Sequence, residues 1–82
     1  MRGSKNMNAD RRKRLQEAKD LLEQALTIIE ECRDEEQEYF DNMPESFQQG
    51  DKGQQAETAT GELDECAGSV QDAIGNIDTA SE

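Results

Sequence analysis

Apolar residues recur at helical spacing along two stretches of the chain. Leu15, Ala18, Leu22, Ala25, Ile29 and Cys32 step by three and four, and Tyr39 continues the series after Glu36 interrupts it. Leu21, Leu26 and Ile28 flank this seam. Such a period marks the buried face of an amphipathic helix, and the Leu, Glu, Gln, Lys and Arg around it are good helix formers. With Asp10 as N-cap, the pattern predicts a helix over 10–42, about 50 Å long at about 1.5 Å per residue. The second stretch carries the same period in smaller residues: Ala59, Leu63, Cys66, Val70, Ala73, Ile77 and Ala80. Their alternating steps of four and three make a strict heptad. Asp51 with Gln54 offers a capping-box-like start, so this helix is predicted over 52–80. Between the two lies a tip, residues 43–51. There Pro44 can start one helical turn and Gly50 can end it, with Met43 and Phe47 covering the ends of the long helices.

The two seams predict one another's partner. If Tyr39 lies opposite Ala59, then Cys32 meets Cys66, Ile29 meets Val70, Ala25 meets Ala73 and Leu22 meets Ile77. Each pair sums to 98 or 99, as antiparallel helices require. The fold expected is therefore all-α: a two-helix antiparallel coiled-coil hairpin over 10–82, with residues 1–9 a disordered or leader segment. The opening Met1-Arg2-Gly3-Ser4 resembles an expression-vector leader, and Met7 offers a second possible start.

Composition qualifies this picture. Only twelve of 82 residues are Leu, Ile, Val or Phe, and the net charge is −11. So thin an apolar complement falls below the roughly 20% that separates folded from disordered compositions. Yet Leu21, Leu22, Ala25, Leu26, Ile28, Ile29 and Cys32 cover more of the first helix than one Ala-rich partner can hide. A homodimer closing into a four-helix bundle, or docking on a larger protein, would cover the rest. The apolar candidates for partner binding are Leu21, Leu26, Ile28, Tyr39, Phe40, Met43 and Phe47.

Charge is segregated along the chain. Residues 1–19 carry a net +5 and residues 20–82 a net −16. Glu30, Glu31, Asp34, Glu35, Glu38 and Asp41 lead an acidic run that places about one carboxylate per 3 Å of helix axis. B-DNA carries about one phosphate per 1.7 Å, so this face could imitate nucleic acid towards a basic groove or serve only as a solvated surface. Arg11-Arg12-Lys13-Arg14 stands at a helix N-terminus, where the dipole disfavours cations. The returning helix would bring Asp72, Asp78 and Glu82 near to compensate, while the net charge opposes direct nucleic-acid binding. Gly61, Gly68 and Gly75 recur every seven residues on the outward face of the second helix. They mark either a smooth stripe for a close backbone or a marginal helix.

Catalytic templates find no match. Cys32 and Cys66 share one core layer in the expected register, as a disulfide or as two packed thiols. A disulfide there would close a loop of about 35 residues, adding roughly 3–4 kcal/mol in the chain-entropy account. With no His in the chain, nothing activates either thiol. Gly50-Asp51-Lys52-Gly53 lacks the spacing of a phosphate loop, and a two-helix rod has no concavity to hold a substrate. No acid spacing fits a calcium loop, and carboxylates without His make a poor transition-metal site. The expectation is a non-enzyme with no cofactor and no metal.

The stretch Asp34-Glu35-Glu36-Gln37-Glu38-Tyr39-Phe40-Asp41-Asn42-Met43-Pro44-Glu45-Ser46-Phe47-Gln48, followed by Gly53-Gln54-Gln55-Ala56-Glu57, resembles small acidic helical proteins encoded by bacteriophages and other mobile elements. Their functions are generally unassigned. The second helix departs from that pattern in carrying Gly where Glu or Ala is expected. The resemblance implies a protein–protein interaction module that binds a host or phage protein, and supplies no catalytic residues. The alternative is an acidic nucleic-acid mimic that inhibits a host defence protein of the restriction or CRISPR type. Without an apolar stretch near its N-terminus or for a membrane span, the chain is expected in the bacterial host cytoplasm.

Overall fold

The computed structural model describes residues 7–82. Most of the expected leader lies outside the described residues, and Ala9 already belongs to a helix. Three helices follow in order: α1 (Ala9–Asp41), α2 (Glu45–Gln48) and α3 (Asp51–Ala80). The chain is all-helical, with the two long helices packed against each other and no strand among the described residues. Lys19 pairs with Asp78, and Arg33 with Asp64, so α3 runs antiparallel to α1. The result is a rod of 64 × 17 × 13 Å with a radius of gyration of 18.7 Å. A compact chain of this length would have a radius of about 12 Å.

Both helix starts differ from the sequence expectation. Asn8, not Asp10, caps α1: its side-chain oxygen accepts from Arg11 N–H at 2.7 Å. Asp10 falls in the first turn, where it pairs with Arg14 at 3.1 Å and favours the positive end of the helix dipole. The cap of α3 is Gly50, without a side-chain hydrogen bond. Asp51 is already helical, so the expected box with Gln54 does not form. At the tip, Pro44 precedes the single turn of α2, and Gly50 N–H closes on the Phe47 carbonyl at 3.0 Å.

The inward faces are out of phase with the expected seam. In α3 they run Gly53, Ala56, Thr60, Leu63, Ala67, Val70, Ile74, Ile77 and Ser81. Leu63, Val70 and Ile77 belong to both versions, but Thr60, Ala67, Ile74 and Ser81 take the alternate places. Ala59 and Ala73 are half-buried at the flank, while Cys66 and Ala80 are exposed. The tip sets this phase. Gly53 and Ala56 are buried, and a Cβ on Gly53 would sit 2.6 Å from Gln48 Cα. Only glycine lets α2 approach, and steps of three and four from Gly53 then fix every later layer.

In α1 the inward residues are Leu15, Ala18, Leu22, Ala25, Leu26 and Ile29, then Arg33, Glu36 and Phe40. An α-helix has about 3.6 residues per turn and drifts about 20° per heptad from a 3.5 repeat. Over this length the drift replaces Cys32 and Tyr39 by Arg33 and Phe40. The two faces superpose where residue numbers sum to 96, beside the ion pairs summing to 97 (19 + 78 and 33 + 64). The expected meeting of Cys32 with Cys66 is therefore overturned: both thiols are free and exposed.

Packing is shallow. The buried apolar residues are Ala56 and Ala67, and no large side chain is fully buried among the described residues. No helix among them is long and apolar enough to cross a membrane.

Candidate functional site

The tip carries an open groove of about 600 Å³ lined by Tyr39, Asn42, Met43, Pro44, Phe47, Gly50, Asp51 and Lys52. Its shape follows from the local fold. Gln48 turns inward, where its side-chain amide donates to the Phe40 carbonyl at 3.1 Å. Phe47, on the neighbouring side of the same turn, is left outside and 62% exposed. Tyr39 is 50% exposed, while Phe40 and Met43 are half-buried. The expected covering of the helix ends by Phe47 does not occur; the ring instead forms one wall of the groove.

A second apolar surface runs down α1. Leu21 is 64% and Ile28 59% exposed, and Cys32 and Tyr39 continue their line. At about 100° per residue, these four side chains fall within a narrow arc, roughly a quarter-turn from the face packed on α3. Leu26 does not belong with them: it is half-buried towards α3, because the drift of α1 turns it inward. Helix handedness puts Cys66 and Ala80 of α3 on the same side of the rod as this stripe. The opposite side holds the interhelical ion pairs, Lys19 to Asp78 at 2.8 Å and Arg33 to Asp64 at 3.2 Å.

The acidic candidates project from the remaining surface. Glu31, Asp34, Glu35, Glu38 and Asp41 are exposed, and Glu30 is half-buried. Asp34 accepts from Arg33, and that hydrogen bond raises the guanidinium above its already high range. Among the described residues Glu31, Glu35, Glu38 and Asp41 pair with no cation. The basic run is compensated differently from the expectation. Arg12 donates to the Ser81 carbonyl at 2.9 Å, at the negative end of the α3 dipole. Asp78 serves Lys19, whose ammonium is held above its usual range by that hydrogen bond. Asp72 and Glu82 join no ion pair among the described residues.

Sequence patterning overlooked Ile74, Gly53 and Ala56. The signal was present as small residues stepping back from the tip, Thr60, Ala56 and Gly53, which continue the helical period into the punctuated segment. No group of His, Cys, Asp or Glu among the described residues is arranged to hold a metal ion. Comparison with known proteins gives no match at any of three levels: no family model, no curated protein and no solved structure.

Proposed function

We propose that this chain is a non-enzymatic protein–protein interaction module, a helical hairpin whose tip docks an apolar segment of a host or phage protein. The supporting observation is the groove walled by Tyr39 and Phe47, large apolar surfaces left wet by a protein that has very few. Exposed aromatic anchors beside a concavity are the usual carriers of binding energy at protein interfaces. The phage-like tip sequence supports an origin in a mobile element and action in a bacterial cytoplasm. In this reading the hairpins pair into a homodimeric four-helix bundle, which covers apolar surface that one hairpin leaves open.

Affinity capture from a bacterial lysate at low and moderate salt tests the reading. Wild-type protein should retain its partner at both, and Phe47→Ala should lose it while keeping its helicity. A second reading rests on the unpaired carboxylates of α1, which would let the acidic face occupy a nucleic-acid-binding groove. It requires capture that collapses at moderate salt and disappears when Glu31, Asp34, Glu35 and Glu38 are neutralised, whatever stands at position 47.

A further inference from the structure

We infer that the exposed stripe of α1 is the seam of an antiparallel pairing with a second copy of this chain, each tip lying beside the other copy's termini. The inference rests on the homodimer reading above and gives it a face and a direction. Leu21, Ile28, Cys32 and Tyr39 step by seven, four and seven, a heptad line separate from the face that packs on α3, with the half-buried Ala25 at the edge between the two. A repeat of 3.5 residues on a free face is the pattern that two helices bury against each other.

Two symmetric arrangements would bring these faces together. With the two-fold axis along the rod, α1 lies over α3 of the other copy and the tips sit side by side. With the axis across the rod, α1 lies over its own mate and the tips point apart. Charge selects the second. Residues 30–65 hold thirteen carboxylates against Arg33 and Lys52, a net −11. At the other end, residues 7–29 and 66–82, five cations led by Arg11, Arg12, Lys13 and Arg14 stand against seven carboxylates, a net of only −2. Side-by-side tips would oppose two like fields, whereas the crossed arrangement sets each acidic end beside an exposed arginine cluster.

The register that sets the Arg11–Arg14 cluster against the acidic end of the second copy's α1 places the axis between Leu26 and Thr27. Leu21 then faces Cys32 of the second copy, Ala25 faces Ile28, and Arg14 reaches the ring of Tyr39, a cation–π geometry. The Tyr39 side of the tip groove is then shared with the partner's Arg14, while Phe47 lies past the start of the partner's α1.

Cysteine cross-linking with peptide mapping separates the arrangements. A Leu21→Cys, Cys66→Ser protein oxidised in solution should give dimers joined through positions 21 and 32. The inference is overturned if wild-type protein links Cys32 to Cys66 between chains, as side-by-side tips require. Sedimentation equilibrium returning only the 9.2 kDa species at high protein concentration would overturn it as well. Ile28→Asp should give a helical monomer. Phe47-dependent capture by that monomer shows the docking reading to stand whichever way the pairing is decided.

Discussion

Gly53 and Gly68 lie in one helix and answer the same substitution in opposite directions. At Gly53 a methyl group would overlap the backbone of Gln48, and backbone cannot swing aside as a side chain can. Overpacking of this kind costs about 1–3 kcal/mol, more than the up to about 1 kcal/mol gained when Ala replaces Gly in a helix. At Gly68 the added methyl meets nothing within 4 Å, so only the helix gain remains. Gly53→Ala should lower the thermal midpoint and Gly68→Ala should raise it, both followed by circular dichroism. A common sign for the two would mean that the tip does not depend on close approach of α2. Gly68→Ala also bears on the glycine stripe: unchanged capture alongside greater stability makes the outward glycines a feature of a marginal helix.

Lys19 and Asp78 tie α1 to α3 along the polar edge, and the tie depends on the lysine proton. Hydrogen bonding to Asp78 raises the ammonium pKa from its ordinary 10.5. A group raised on folding contributes its full stabilisation below its unfolded value, and the contribution fades as pH climbs through the folded value. The wild-type advantage over Lys19→Gln in thermal midpoint should therefore be constant near neutrality and shrink above about pH 10.5. A gap that persists at higher pH would assign the role of Lys19 to its aliphatic stem. At this scale the two long helices and the break between them were legible from spacing alone, within one residue at each end. Their rotation was not. Ala59 and Cys66 fit a heptad as well as Thr60 and Ala67 do, because apolar spacing reports the period of a face without its origin. That origin lies in Gly53, whose part depends on Gln48 crossing above it, a contact that no local pattern encodes. The drift that turned Cys32 outward and Arg33 inward accumulates over more than three turns and escapes a strict repeat. The candidate site was partly legible for the same reason. Leu21, Ile28, Tyr39 and Phe47 are exposed, whereas Leu26 was lost to the rotation of α1.

Across the whole molecule, area rather than pattern is the limiting quantity. Twelve large apolar residues are spread along a 64 Å rod, and none is fully buried in a single copy. A fold this shallow gains stability by mass action when a second copy covers its stripe. Thermal midpoints should then rise with protein concentration for the wild type and stay level for Ile28→Asp; a wild-type midpoint independent of concentration would leave the single rod as the folding unit. The uneven charge along the same rod has a consequence for the moment of encounter. A single copy, nearly neutral at one end and strongly negative at the other, turns in an external field as a weathervane turns in wind, whereas the crossed pair, alike at both ends, does not. Near any cationic surface the unpaired copy swings its tip forward before contact, so that Phe47 arrives first and the search over orientations is already narrowed.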